Sequence, residues 1–130
     1  MSTLKVDTIQ DTSGSNQSTA SEIRSGRAKI WVEFSGQGGA TIIGSFGVSS
    51  VARRSNGNYT VNFSSNFVDT NYVVLASSGA NVDSYANGLD GIDNIAIVLN
   101  KFVDKVFVGA GDLDDGLNDD MDRISVAIFA

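Results

Sequence analysis

Six aspartates stand between residues 112 and 122, in the stretch GDLDDGLNDDMDR. Hard oxygen ligands at that density suit calcium, which takes about six to eight of them. Asp112, Asp114, Asp115, Asp119 and Asp120 are the candidate ligands. Their spacing does not fit the helix-loop-helix calcium motif. With Gly116 as its invariant glycine, the first and third ligand positions fall on Gly111 and Leu113, which offer no carboxylate. Calcium is therefore a candidate cofactor only of an irregular loop, and a solvated loop between two strands is the simpler reading. Asp90, Asp93 and Asn94 form a second, sparser cluster. Paired carboxylates also serve glycoside hydrolysis. These aspartates, however, are crowded together, with no aromatic neighbours and no apolar pocket to raise the pKa of one of them.

The chain has no His and no Cys. That removes the usual general base, the Ser/His/Asp arrangement, thiolate metal sites and disulfides. No glycine-rich phosphate loop follows a strand and opens a helix. The expectation is a non-enzymatic protein, with no catalytic residue assigned. Trp31, Tyr59, Tyr72 and Tyr85 could stack on sugars. Tyr59 and Tyr72 read as capping a core edge, whereas Trp31 falls opposite the apolar face of its strand. Trp31 and Tyr85 are thus the candidates for contact with a surface glycan or with another subunit. The N-x-[ST] sequences at Asn16, Asn58 and Asn62 are what chance supplies in so Asn- and Ser-rich a chain.

These side chains need elements to position them, and 130 residues allow one domain plus an arm. With 14 Gly, no Pro and abundant Val, Ser, Thr and Asn, the composition suits strands joined by tight turns. No apolar run is long enough to span a membrane, and no basic region followed by an apolar stretch opens the chain, so manufacture in a cytoplasm is expected. Residues 1–65 carry six basic and four acidic side chains, and residues 66–130 carry three and eleven, giving +2 and −8. An acidic surface gains no counterion release from a phosphate backbone, so nucleic-acid binding is disfavoured.

From residue 28 the apolar period is two. Ala28, Ile30, Val32 and Phe34 share one face. GQGG at 36–39 reads as a turn, and the alternation resumes over Ala40, Ile42 and Phe46 and continues from Val48 to Arg53. Asn56-Gly57 predicts a two-residue hairpin of type I′, with positive φ at both residues, returning through Tyr59, Val61 and Phe63. Tyr72–Ala76 and Ile95–Leu99 are apolar on both faces and read as central strands. Val106, Val108 and Ala110, then Ile124, Val126 and Ile128, alternate again. The expected fold is all-β: an antiparallel β-sandwich of seven or eight short strands, jelly-roll or Ig-like, over residues 28–130.

Residues 1–27 read as an extended N-terminal docking arm and linker ending in one short helical turn. Leu4 and Val6 alternate with polar neighbours as a short strand, Asp11–Ser18 is a flexible connector, and Thr19 with Glu22 is spaced as a capping box with Gly26 closing the turn in the left-handed region. A lone strand gains stability only by pairing, which makes Leu4, Val6 and Ile9 the candidate docking residues.

The stretches TLKVDTIQDTSGSNQST, GRAKIWVEFSG and GVSSVARRSNGNYTVNFSSNFVDTNYVV, in that order, resemble small virion proteins of tailed phages, particularly marine cyanophages, of the tail-fibre-like or capsid knob-like kind. The resemblance covers roughly residues 2–76. Beyond it only the closing strand RISVAIF matches, and Ala20 stands where the family tends to carry a proline. It implies a protein of the virion exterior whose arm docks into other capsid or tail proteins. It also implies a displayed β-domain, commonly a homo-oligomer, with no catalytic residues. With the unpaired strand it favours a trimer. The alternative within that family is a receptor-binding fibre tip that reads host carbohydrate.

Overall fold

The computed structural model describes residues 1–14, 16–79, 94–112 and 119–130. Along them the chain forms β1 (Thr8–Gln10), β2 (Gln17–Thr19), α1 (Ala20–Gly26), β3 (Ile30–Ser35), β4 (Thr41–Phe46) and β5 (Val48–Ser55). It continues as β6 (Asn58–Phe63), β7 (Val73–Gly79), β8 (Asn94–Lys101), β9 (Lys105–Asp112) and β10 (Arg123–Phe129). Strands β3 to β10 make two four-stranded antiparallel sheets, ordered β4-β3-β10-β7 and β5-β6-β9-β8. This is the all-β sandwich that the alternation predicts. No helix among the described residues is long and apolar enough to cross a membrane.

The four inner strands supply most of the core, because each presents alternate residues to the opposite sheet. Ile30, Val32 and Phe34 of β3 and Ile124, Val126 and Ile128 of β10 face Tyr59, Val61 and Phe63 of β6 and Val106, Val108 and Ala110 of β9, all buried. Burying one such aliphatic side chain contributes about 1.5–3 kcal/mol. The Phe34 and Tyr59 rings meet edge to face between the sheets with centroids 5.1 Å apart. Phe67 and Tyr72 stack at 4.7 Å beside Phe63, closing one end of the core.

Tyr72–Ala76 and Ile95–Leu99 do not become central strands: among the described residues β7 and β8 are the edges of their sheets. Their second apolar faces, Val73 and Leu75 on β7 and Ile97 and Leu99 on β8, point outward and stay exposed. The alternation from Ala40 to Arg53 is not one strand either. Gly47, at φ 72°, turns the chain from the first sheet to the second, where a Cβ would come within 3.1 Å of Ile30 and the Lys29 carbonyl. At the hairpin only Gly57 has positive φ (66°), and the pairing shifts between Arg53 and Ser55, so the type I′ turn is not formed. A carboxylate from across the molecule holds the Gly57 amide and Arg53, which pulls this turn into its own shape.

Candidate interaction surfaces

The arm pairs with itself. Its strand is not Leu4–Val6 but β1, which bonds antiparallel to β2 with Ile9 opposite Ser18. The expected flexible connector is a loop knit by Asp11: its Oδ1 accepts from the Ser13 amide (3.1 Å) and hydroxyl (2.7 Å), and its Oδ2 from Asn16 Nδ2 (2.8 Å). The capping box forms as spaced, with the Thr19 amide donating to Glu22 Oε2 (2.7 Å) and the Glu22 amide to Thr19 Oγ1 (3.1 Å). Gly26 does not close the helix in the left-handed region; Arg27 ends it in extended backbone, and Lys29 Nζ donates to the Arg24 carbonyl. Every residue from Met1 to Ser13 is exposed, and α1 buries none of its residues. Leu4 is 84% exposed, Val6 43% and Ile9 56%.

The outer face of the first sheet holds a second apolar surface. The strand registers set Phe46, Trp31, Ala127 and Leu75 in one row across four strands, and Gly44, Glu33, Ser125 and Ser77 in the row beside it. Phe46 and Leu75 are 60% and 59% exposed, Trp31 44%. The Trp31 ring leans over Gly44, where a Cβ would lie 3.4 Å from it. Leaning that way, it opens a groove of about 340 Å³ between itself and Leu75, floored by Ala127 and Ser125. Arg123 and Glu33 pair at 2.7 Å beside the groove. The second sheet's outer face differs: Arg54 lies over the Phe107 ring at 4.1 Å, and Asn62 donates to Ser50 Oγ at 3.0 Å.

Of the candidate calcium ligands, Asp120 is taken up by the fold. Its Oδ1 accepts from the Tyr59 hydroxyl (2.6 Å) and the Gly57 amide (3.0 Å), and its Oδ2 from Arg53 Nε and Nη2, both at 2.7 Å. The Arg53 hydrogen bonds above all, opposed by partial burial and reinforced by Tyr59 and Gly57, hold its carboxyl down at about 2. Burial, then the bond to Asp120, pushes the Tyr59 phenol well above its ordinary value. A cation at Asp120 would have to displace these donors. Asp119 is exposed, Asp114 and Asp115 lie outside the described residues, and of Asp112 the backbone alone, ending β9, is described. Among the described residues no three acidic side chains gather to hold a metal.

Trp31 therefore stands on an open face, as its alternation indicates, while Tyr85 lies outside the described residues, as do Asp90 and Asp93. Tyr59 and Tyr72 bury their rings; the Tyr72 hydroxyl donates to the Phe102 carbonyl at 2.7 Å. Sequence reasoning missed Phe46, Leu75 and Ala127 as companions of Trp31, and Arg53 as the partner of Asp120. The signal for Leu75 and Ala127 is parity, each lying on its strand's second face; Phe46 shares the parity of Ala40 and Ile42 and reaches the outer face only because the pairing shifts between Glu33 and Phe34, which sets Phe34 opposite Ile42 but Trp31 opposite Phe46. For Arg53 there is none, because 67 residues separate it from Asp120. No protein-family model, curated protein or solved structure matches the chain.

Proposed function

We propose that the chain is a non-enzymatic structural protein of a phage particle, made in the host cytoplasm. It sits on the particle exterior as a capsid knob or short fibre component, docked to other virion proteins through residues 1–27. The observation that supports this reading is the arm: Leu4, Val6 and Ile9 are exposed on a segment that lays no apolar side chain into the sandwich core. Residues 1–6 form no strand or helix, so their backbone groups are available to extend a partner's sheet edge while Leu4 and Val6 fill its pockets. Deleting residues 2–18 abolishes incorporation into purified particles and leaves the circular dichroism of the sandwich unchanged. Undiminished incorporation overturns the docking role.

A receptor-binding tip is the second reading, and the observation in its favour is Trp31 beside a groove carrying Glu33, Ser77 and Ser125. Glycan-array binding that disappears in Trp31→Ala would support it, and silence across host glycans counts against it.

A further inference from the structure

We propose that Asn56 is a site of self-modification by deamidation, and that the Arg53–Asp120 pair holds it unreacted. The proposal does not depend on where the arm docks. An Asn followed by Gly is open to this chemistry because a residue without a Cβ leaves its amide nitrogen accessible to the preceding side chain. The Gly57 amide gives up its proton to a base, its nitrogen bonds to Asn56 Cγ, and the Cγ–Nδ2 bond breaks with release of ammonia. Water then opens the resulting succinimide ring. Opening at one carbonyl gives aspartate, and at the other isoaspartate, with the side-chain methylene moved into the main chain. Overall one water enters and one ammonia leaves, and nothing is oxidised or reduced.

Both reacting groups are tied to the same ion pair. The Gly57 amide donates to Asp120 Oδ1 at 3.0 Å, Arg53 Nη2 donates to Asn56 Oδ1, and Arg53 and Asp120 hold each other at 2.7 Å. The backbone around them is fixed as well. The Gly57 carbonyl accepts from the Ala110 amide at 2.7 Å, and the Asn56 carbonyl from Asn58 Nδ2 at 3.0 Å. Asn56 is exposed but Gly57 is buried, so a base from solvent meets a proton that is already engaged. Removing it would set an amide anion beside the Asp120 carboxylate, where like charges repel. Asp120 is itself too weak a base for the task, since Arg53 holds its carboxyl down at about 2. Cyclisation also needs Asn56 Cγ to close on the Gly57 nitrogen, and Oδ1 must move with it against the hold of Arg53. Reaction therefore waits on a local opening in which these bonds part. A hydrogen bond to a charged group holds such an opening down by about tenfold to a hundredfold. Once formed, a carboxylate at position 56 stands beside Arg53 in competition with Asp120.

The sequence carries a second Asn-Gly pair, Asn87-Gly88, which serves as an internal reference. The full chain is incubated at mildly alkaline pH, folded and in denaturant, and conversion at each Asn is followed by tandem mass spectrometry. In denaturant the two sites, each followed by Gly, convert at similar rates. In the folded chain Asn56 converts at least about tenfold more slowly than in denaturant. Asp120→Ala frees the Gly57 amide, raises the Asn56 rate at least about tenfold and leaves the Asn87 rate as in the parent. Arg53→Ala frees Asn56 Oδ1 and raises the Asn56 rate less, because the Gly57 amide keeps Asp120. Circular dichroism checks that each variant is folded, and if one is not, the other carries the test. Conversion of Asn56 as quick in the folded parent as in denaturant overturns the proposal. So does a rate that a folded variant does not raise, or a rise shared equally by Asn87. Slower conversion in the variants also overturns it, since the pair would then promote cyclisation, with Arg53 steadying the developing oxyanion.

Discussion

The arm and the sandwich are written in the same idiom of Val, Ile, Thr and Ser in alternation, yet they differ in what alternation accomplishes. In β3, with burial on every second residue, Ile30, Val32 and Phe34 meet a second sheet. In β1 and β2 the same pattern closes a ladder but meets no second layer, and Ile9 stays exposed. Alternation makes a strand; only a second layer makes it stable, since an isolated hairpin is marginal in water. The arm is held by local devices, the Asp11 loop and the Thr19–Glu22 box, whereas the sandwich is held by contacts between residues far apart in sequence. A segment held only by local devices is free to be reshaped by a partner without unfolding the rest.

The largest effect that would sharpen this contrast is in the core. Phe34→Ala removes a fully buried ring that abuts Tyr59 and should lower the stability of the sandwich by about 3–5 kcal/mol, read by chemical denaturation. Next is Gly36→Ala. A Cβ there overlaps the Tyr59 hydroxyl and crowds the Met121 carbonyl, which accepts from the Gly36 amide at 2.8 Å. Displacing the phenol from Asp120 should cost roughly 1–3 kcal/mol, measured in the same way.

Asp120→Asn should cost roughly 1.5–3 kcal/mol by weakening the hydrogen bonds to a charged acceptor. It also carries a pH signature. The Asp120 carboxyl is depressed to about 2 from an ordinary 3.8, so its contribution is complete above pH 3.8 and is lost as the pH falls from there toward 2. In denaturation curves taken across that window, Asp120→Asn should flatten this part of the acid slope; an unchanged slope would detach Asp120 from acid stability.

Smallest is the effect of changes in the arm. Thr19→Ala opens the capping box, so amide exchange at Glu22 should quicken while the melting temperature of the sandwich stays put. A sandwich that melts earlier in this variant would break the comparison, because it would mean that the arm shares the body's cooperative unit.

Much of the fold is readable in single segments. Period-two burial marks β3, β6 and β10 and the first half of β9, and Thr19 with Glu22 marks the start of α1. These signals are local, arising from the pleat and from a side chain reaching its own backbone three residues away. Exposure of Trp31 is legible for the same reason. What is not legible is which strands stand at the edges: the two apolar faces of Tyr72–Ala76 suggest a buried centre, but pairing among the described residues puts β7 at an edge and leaves Leu75 outside.

By itself, then, the sequence determines that strands form, which residues of each strand share a face, and that no His or Cys is present for catalysis or covalent bracing. The tertiary structure decides that Gly47 carries an unbroken alternation from one sheet into the other. It also decides that Asp120 serves Arg53, Tyr59 and Gly57 rather than standing free among its acidic neighbours, and that Trp31, Ala127 and Leu75 share one row. The division has a physical cause. The pleat repeats every two residues and is written locally, whereas register and sheet order depend on pairings between segments tens of residues apart, whose loop-closure entropy and shared core belong to no single stretch of chain.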